Sequence, residues 1–255
     1  MIRPFFTFLV LALCSVTSHA QKVRVAVAAN AQFVTEALQA AFEQETGIEL
    51  ELIVSSSGKL TAQIEQGAPF DVFLSADMKY PEALHKKGLT EAKPRVYAYG
   101  SLVLWTAQEE MDLSPDLQIL ANESVQKVAV ANPQTAPYGE AAIKALNNYG
   151  VYRPVQDKLV YGESIAQVNQ YILSGAADLG FTAKSVVMEP TMKEKGKWIE
   201  LDPKLCPPIA QGAVMLKAIR KQSYQQAHKF YTFLFGKTAK GIFAQYGYFI
   251  PENRP

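Results

Sequence analysis

The stretch of this sequence best suited to chemistry is the run of three serines and a glycine at residues 55–58. It follows an apolar run at 50–54 that predicts a buried strand, and it precedes a short amphipathic helix pattern that ends at Gly67. The first N–H groups of a helix lack intrahelical partners, and the helix dipole favours negative charge there. The run therefore indicates an anion site, although Ser56 or Ser57 is equally well explained as a simple helix cap.

The same order of strand, polar turn and helix start recurs three times. Asn30 follows an apolar strand at 23–29 and lies at or near the N-cap of a helix, and taken alone it is more simply explained as a cap. A turn at 136–139 and the Glu-Ser-Ile segment at 163–165 also follow apolar strands and begin helices. Four helix N-termini could thus face one ligand.

The two halves of the chain also share a spacing. Ser, Gly and Asp occur at Ser57, Gly67 and Asp71, and again at nearly the same spacing at Ser164, Gly175 and Asp178. Two lobes with the same fold would produce this repeated spacing. Chance similarity is the competing explanation, because glycine commonly ends helices. Asp71 and Asp178 are interpreted as residues that start strands rather than as a general acid and base.

Alternating strands and helices predict an α/β fold with parallel-rich sheets and helices on both faces. We expect two lobes with a cleft between them: lobe 1 from residues 21–99 plus 210–255, and lobe 2 from residues 100–209. An apolar strand at 100–105 is the expected crossover between them. A serine-proline pair at 114–115 predicts a further helix carrying Leu117 and Leu120.

The first twenty residues have the pattern of a secretory signal peptide. Arg3 precedes an apolar core at 5–13, and cleavage is expected after Ala20, which predicts export to the periplasm. Cys14 raises the option of a lipoprotein, but the preceding residue is the bulky Leu13, which argues against it. Of the 25 basic residues only Arg3 is removed, so the mature chain balances its 24 acidic residues and is not expected to bind nucleic acid or an acidic membrane surface. Cys206 would be the only mature cysteine, which excludes an internal disulfide.

Enzyme and nucleotide motifs are incomplete. Residues 162–166 match half of a nucleophile elbow around Ser164, but the second glycine is missing and His228 is the only downstream histidine. A serine esterase using Ser164 is therefore a remote alternative. Gly58 and Lys59 match part of a P-loop without its upstream glycine, so Lys59 is interpreted as a solvated helix residue. No zinc or calcium motif is present.

Taken together, the motifs resemble those of the periplasmic molybdate-binding proteins of ABC importers, in the branch with Asn at the first helix start. The resemblance covers residues 22–251 and is carried by the segments 28–30, 55–58, 67–77, 136–139 and 175–181. It implies a type II periplasmic-binding-protein fold with an oxyanion between the lobes. It also implies a monomeric carrier rather than an enzyme, with no cofactor and with an inner-membrane ABC permease as partner.

The resemblance further implies which residues bind molybdate or tungstate. Asn30, with the backbone of Ala29, and Ser57 would bind from the first lobe, and the backbone N–H groups of Tyr138 and Ile165 from the second. All four ligands Asn30, Ser57, Tyr138 and Ile165 would reach the metal only through the molybdate oxygens. Other members place a tyrosine hydroxyl where this chain has Ala183, so Asn30 is expected to replace that donor. A sulfate, phosphate or other small-oxyanion carrier on the same scaffold is the alternative.

Overall fold

The computed structural model describes residues 22–217 and 223–250, so the expected signal peptide lies outside the described residues. Within them the strands are β1 (Val23–Ala28), β2 (Leu50–Ser55), β3 (Val72–Leu74), β4 (Arg95–Gly100), β5 (Leu102–Thr106), β6 (Val128–Ala131), β7 (Leu159–Gly162), β8 (Leu179–Ala183), β9 (Lys197–Glu200) and β10 (Ile209–Met215). The helices are α1 (Gln32–Thr46), α2 (Ser57–Glu65), α3 (Lys79–Lys86), α4 (Pro137–Asn148), α5 (Tyr152–Val155), α6 (Ile165–Leu173), α7 (Lys184–Val187), α8 (Tyr224–Phe233) and α9 (Lys237–Gln245). In this part of the chain, no helix is both long and apolar enough to span a bilayer.

The strands form two five-stranded sheets of matching topology. The first sheet has the order β2-β1-β3-β10-β4 and the second the order β7-β6-β8-β5-β9. In each sheet the first three strands are parallel, the fourth is antiparallel to the third, and the fifth is antiparallel to the fourth. Four of the five strands therefore point the same way, which confirms the predicted α/β fold with parallel-rich sheets.

Helices cover both faces of the first sheet, so the interior strand β1 is apolar on both faces from Val25 onward. In β1, Val25 and Val27 pack into a core formed with α1, α8 and α9, whereas Ala26 points to the opposite face and packs with α2 and α3 residues. Successive side chains of a strand point to opposite faces, so a strand buried on both sides needs a continuous apolar run. A third core surrounds the second sheet and includes Ala28 and Ala29 from the end of β1.

The repeated aspartates start equivalent strands and make equivalent hydrogen bonds. The Asp71 N–H donates to the Arg24 carbonyl and its carboxylate accepts from the Arg24 N–H, each at 2.8 Å. Asp178 exchanges the same pair of bonds with Lys127, at 3.0 and 2.8 Å. Each aspartate thus ties the start of β3 or β8 to the neighbouring parallel strand. The interpretation of both acids as strand-start residues is confirmed.

One local prediction was wrong. The segment after Ser114 does not form an α-helix, because Leu117 adopts a left-handed conformation with φ of 59° and only a short 3-10 turn follows at Gln118–Ala121. The expected strand at 100–105 is present as β5, although it begins only at Leu102, and the expected crossover lies at Ser101, between the end of β4 in the first sheet and the start of β5 in the second. The chain returns to the first sheet at Ile209, which pairs with Gly100. The division into lobes at residues 99/100 and 209/210 stays a prediction.

Candidate functional site

A small pocket lies between the two sheets. All five residues expected at the site, Ala29, Asn30, Ser57, Tyr138 and Ile165, line this pocket. The remaining lining residues are Ala28, Ser56, Ala76, Ala136, Pro137 and Ser164. None of the lining residues is a carboxylate, a lysine, an arginine or a histidine, so the pocket carries no formal charge.

Three helices begin at the pocket. Helix α2 begins at Ser57 and α6 at Ile165, and the first N–H of a helix has no intrahelical partner. Helix α4 begins at Pro137, which has no N–H, so the Tyr138 N–H is the first donor of that helix. The pocket therefore faces backbone donors at the positive ends of helix dipoles, which is the arrangement that binds anions.

Ser56 and Ser57 have different roles in the structure. Ser56 is the N-cap residue, and its hydroxyl accepts a hydrogen bond from the Lys59 N–H at 3.4 Å. The Ser57 hydroxyl oxygen accepts from the Ala76 N–H at 3.0 Å. Because the Ser57 oxygen accepts this bond, the hydroxyl hydrogen can be donated to a ligand. The cap and the ligand-facing serine are thus separate residues, and Ala76 is a supporting residue that sequence reasoning did not single out.

Asn30 does not cap a helix. It is the middle residue of a 3-10 turn, Ala29–Ala31, and α1 begins only at Gln32. Its side chain is buried, and its amide nitrogen donates to the Gln211 side-chain oxygen at 2.9 Å. The Asn30 amide oxygen is buried without a hydrogen-bond partner among the described residues. Its backbone carbonyl accepts from the Ser185 hydroxyl at 2.7 Å.

A buried hydrogen-bond network lies behind Asn30 and joins the first sheet to Tyr138 of α4. Gln211 of β10 accepts from the Tyr97 hydroxyl at 2.7 Å and donates to the Tyr138 hydroxyl at 3.0 Å. The Tyr248 hydroxyl lies 3.2 Å from the Ser185 hydroxyl. Burial raises the pKa of Tyr97 and Tyr138 well above the usual value and that of Tyr248 to about 12, so all three phenols remain neutral. The one sequence signal for this network was a glutamine within an otherwise apolar strand.

The two sides of the pocket are in direct contact at its rim. The Gly58 N–H donates to the Thr135 carbonyl at 2.9 Å, and Lys59 forms an ion pair with Glu163 at 2.6 Å. The Tyr80 hydroxyl donates to the Gln134 carbonyl at 3.2 Å. Lys59 was expected to be solvated, and its side chain is indeed 43% exposed and absent from the pocket lining. The structure is therefore closed over the pocket.

The serine esterase alternative has no histidine partner for Ser164 in the pocket lining. Ser164 lines the pocket as the N-cap residue of α6, but none of the lining residues is a histidine. His85 contacts Thr90, and His228 lines a separate groove beside the end of α1. Over residues 22–217 and 223–250, no three His, Cys, Asp or Glu side chains are grouped to hold a metal ion. Ala183 supplies no hydroxyl, whereas Ser185, two residues later, contacts Asn30.

Known proteins resemble the chain over nearly its whole length. The family model for bacterial extracellular solute-binding proteins matches residues 23–249. The molybdate-binding protein ModA of Azotobacter vinelandii is 37% identical over 92% of this chain and 93% of its own length. ModA of Rhodobacter capsulatus is 36% identical over 90% of this chain and 88% of its own length.

A solved structure of the Azotobacter vinelandii periplasmic molybdate-binding protein is also similar. It superimposes with a TM-score of 0.85 and 33% identity, covering 91% of this chain and all of that one. These relatives are binding proteins rather than enzymes. The match of sequence and fold over the same residues establishes that the chain belongs to the bacterial extracellular solute-binding protein family, together with these molybdate-binding relatives.

Proposed function

We propose that this protein captures molybdate, and also tungstate, in the pocket between its sheets and delivers the oxyanion to an ABC importer. The observation that carries the proposal is the convergence of the Ser57 hydroxyl and the N–H groups at the starts of α2, α4 and α6 on one uncharged pocket. The names of the relatives with 36% and 37% identity support molybdate as the ligand.

The donor set suits a doubly charged tetrahedral anion. A buried anion is stabilised when each oxygen accepts hydrogen bonds from fixed donors, and bonds to a charged acceptor are roughly twice as strong as neutral ones. Ser57, Tyr138 and Ile165 supply such donors from helix N-termini, and the Ala29–Ala31 turn supplies further backbone N–H groups. Each helix holds its own donors in place, so binding needs the two sides of the pocket to come together but little rearrangement within each side.

Size and protonation support a preference for molybdate. Molybdate, tungstate and sulfate carry no proton near neutral pH, so all their oxygens can accept. Sulfate is smaller, so donors spaced for the larger tetrahedron would be too distant for good hydrogen bonds. Phosphate keeps an O–H that needs an acceptor, and leaving it unpaired costs about 1–3 kcal/mol.

A hydrogenphosphate carrier is the second candidate, because one observation favours it. Asn30 lines the pocket, and its amide oxygen is buried without a partner among the described residues, so it could accept the phosphate O–H. The relatives favour molybdate over this candidate.

The proposed route begins with export through the signal peptide, cleaved after Ala20, into the periplasm. There the monomeric protein would close its two lobes on the anion, and an ABC permease in the inner membrane would recognise the closed form. Family membership supports this location and partner.

Thermal melts of the purified mature protein against each anion test the proposal. A ligand at one hundred times its dissociation constant stabilises the fold by about 2.7 kcal/mol, which is readily measured. Molybdate and tungstate should raise the melting temperature most, sulfate much less and phosphate least. A clear rise with phosphate or sulfate and none with molybdate would overturn the assignment.

A further inference from the structure

We propose that Gln211 is a positioning residue that turns together with the Asn30 carboxamide and holds the end of it that faces the oxyanion. The inference rests on the proposed function and deepens it. Gln211 is fully buried at a bulge of β10, 181 residues from Asn30 in sequence, and its side chain bonds directly to that of Asn30. Gln211 itself does not line the pocket.

The hydrogen bonds of Gln211 define one arrangement of the two amides. Its oxygen accepts from the Asn30 amide nitrogen at 2.9 Å and from the Tyr97 hydroxyl at 2.7 Å, while its nitrogen donates to the Tyr138 hydroxyl at 3.0 Å. In this arrangement the Asn30 oxygen is the end without a protein partner. An oxygen at that end would repel a fully deprotonated anion and could accept only from a protonated one.

Turning both amides by half a rotation gives a second arrangement with the same heavy-atom distances, because the oxygen and nitrogen of a carboxamide are nearly isosteric. The Gln211 nitrogen then donates to the Asn30 oxygen and to the Tyr97 hydroxyl, and the Gln211 oxygen accepts from the Tyr138 hydroxyl. The Tyr97 hydroxyl can then donate to the Ser75 carbonyl, which already lies 3.4 Å away.

The second arrangement leaves no amide oxygen unpaired and turns the Asn30 nitrogen to the end that lacks a protein partner. Both Asn30 N–H groups become available to an acceptor there. A fully deprotonated oxyanion therefore favours the second arrangement, and a protonated one favours the first. Rotating Asn30 alone would place its oxygen against the oxygen of Gln211, so the two side chains must turn together.

A double-mutant cycle tests this coupling. Molybdate affinity is measured by titration calorimetry for the wild-type protein, Gln211→Met, Asn30→Ala and the double variant. Because Gln211 acts through Asn30, Gln211→Met should weaken molybdate binding by roughly tenfold in the wild-type background. In the Asn30→Ala background it should change affinity by less than about twofold. A residue that only supported the fold would weaken binding equally in both backgrounds.

Tyr138→Phe provides a second cycle if Gln211→Met does not fold. It removes only the hydroxyl that holds Gln211 and keeps the Tyr138 backbone N–H, so binding should weaken about three- to tenfold, and only when Asn30 is present. If the two substitutions have additive effects while the wild-type protein binds molybdate, the role of Gln211 is overturned and the proposed function still stands. A wild-type protein that does not bind molybdate would overturn the proposed function and this inference with it.

Discussion

Gly58 provides a test of whether binding requires the two sides of the pocket to close. It is the second residue of α2, and its N–H contacts the Thr135 carbonyl across the cleft. A Cβ atom at Gly58 would lie 2.9 Å from the Thr135 Cα and 3.0 Å from its carbonyl oxygen, closer than such atoms pack. The Tyr80 hydroxyl, also 3.0 Å away, is the end of a flexible side chain and can move. Gly58→Ala should therefore oppose closure through the backbone of Thr135.

The substitution has opposite effects on folding and on binding. Overpacking of this kind costs about 1–3 kcal/mol, and only the closed form would bear it. Since each 1.4 kcal/mol is tenfold in affinity, molybdate should bind about 5- to 140-fold more weakly. Alanine in place of a helical glycine stabilises the helix itself by roughly 0.5–1 kcal/mol. The ligand-free protein should thus melt at the same or a higher temperature while its affinity falls.

The measurements are titration calorimetry with molybdate and a ligand-free melt, with Gly241→Ala as the matched control. Gly241 lies in α9, and a Cβ there would meet no atom within 4 Å. The control should gain helix stability without losing affinity. Small-angle scattering should show that molybdate compacts the wild-type protein and that Gly58→Ala is compacted less. Wild-type affinity in Gly58→Ala, with the variant folded, would refute the closure argument.

Three further changes probe other parts of the structure. Ser57→Ala should weaken molybdate binding roughly ten- to a hundredfold in titration calorimetry, because it removes one charge-assisted hydrogen bond to the anion. Ser56→Ala should mainly lower the melting temperature, because it removes the cap of α2. Burial raises the pKa of Cys206 to about 11, so iodoacetamide should label it slowly at pH 7.5 and quickly in denaturant. Burial acts to raise the pKa of Asp178, but hydrogen bonds from the Lys127 and Gln126 N–H groups outweigh burial and hold the pKa below the usual 3.8. The ionised carboxylate therefore stabilises the fold fully above pH 3.8, and this stabilisation is lost as the pH falls through the lowered pKa. Asp178→Asn should thus lower the melting temperature more at pH 7 than at pH 3.

The features that the sequence predicted correctly depend on local chemistry. The start of α2 after Ser56, its end near Gly67 and the proline at the start of α4 follow from rules that operate within a few residues. The same rules failed after Ser114, because Leu117 is left-handed and its side chain is fully buried in the core of the second sheet. Tertiary packing there overrides the local preference for a helix.

The features that the sequence missed depend on distant contacts. Strand β4 was not predicted. It pairs with β10, and all the strands of the second sheet lie between the two in the sequence. Gln211 reaches Asn30 only because β10 is inserted between β3 and β4. No spacing along the chain reveals that pairing. The site could therefore be predicted as a set of helix starts, but not together with the network behind it.

The uncharged lining of the pocket has a consequence for how a ligand leaves it. Tyr138 is the only lining residue with an ionisable side chain, and its pKa is raised well above neutrality by burial. Binding of a fully deprotonated anion therefore exchanges no protons with solvent near pH 7, and affinity should not respond to pH there. On the proposed function, release would come from drawing α4 and α6 away from α2, which removes the Tyr138 and Ile165 donors together. Delivery would then be controlled by separation of the two sides of the pocket, and acidity of the compartment would not trigger it.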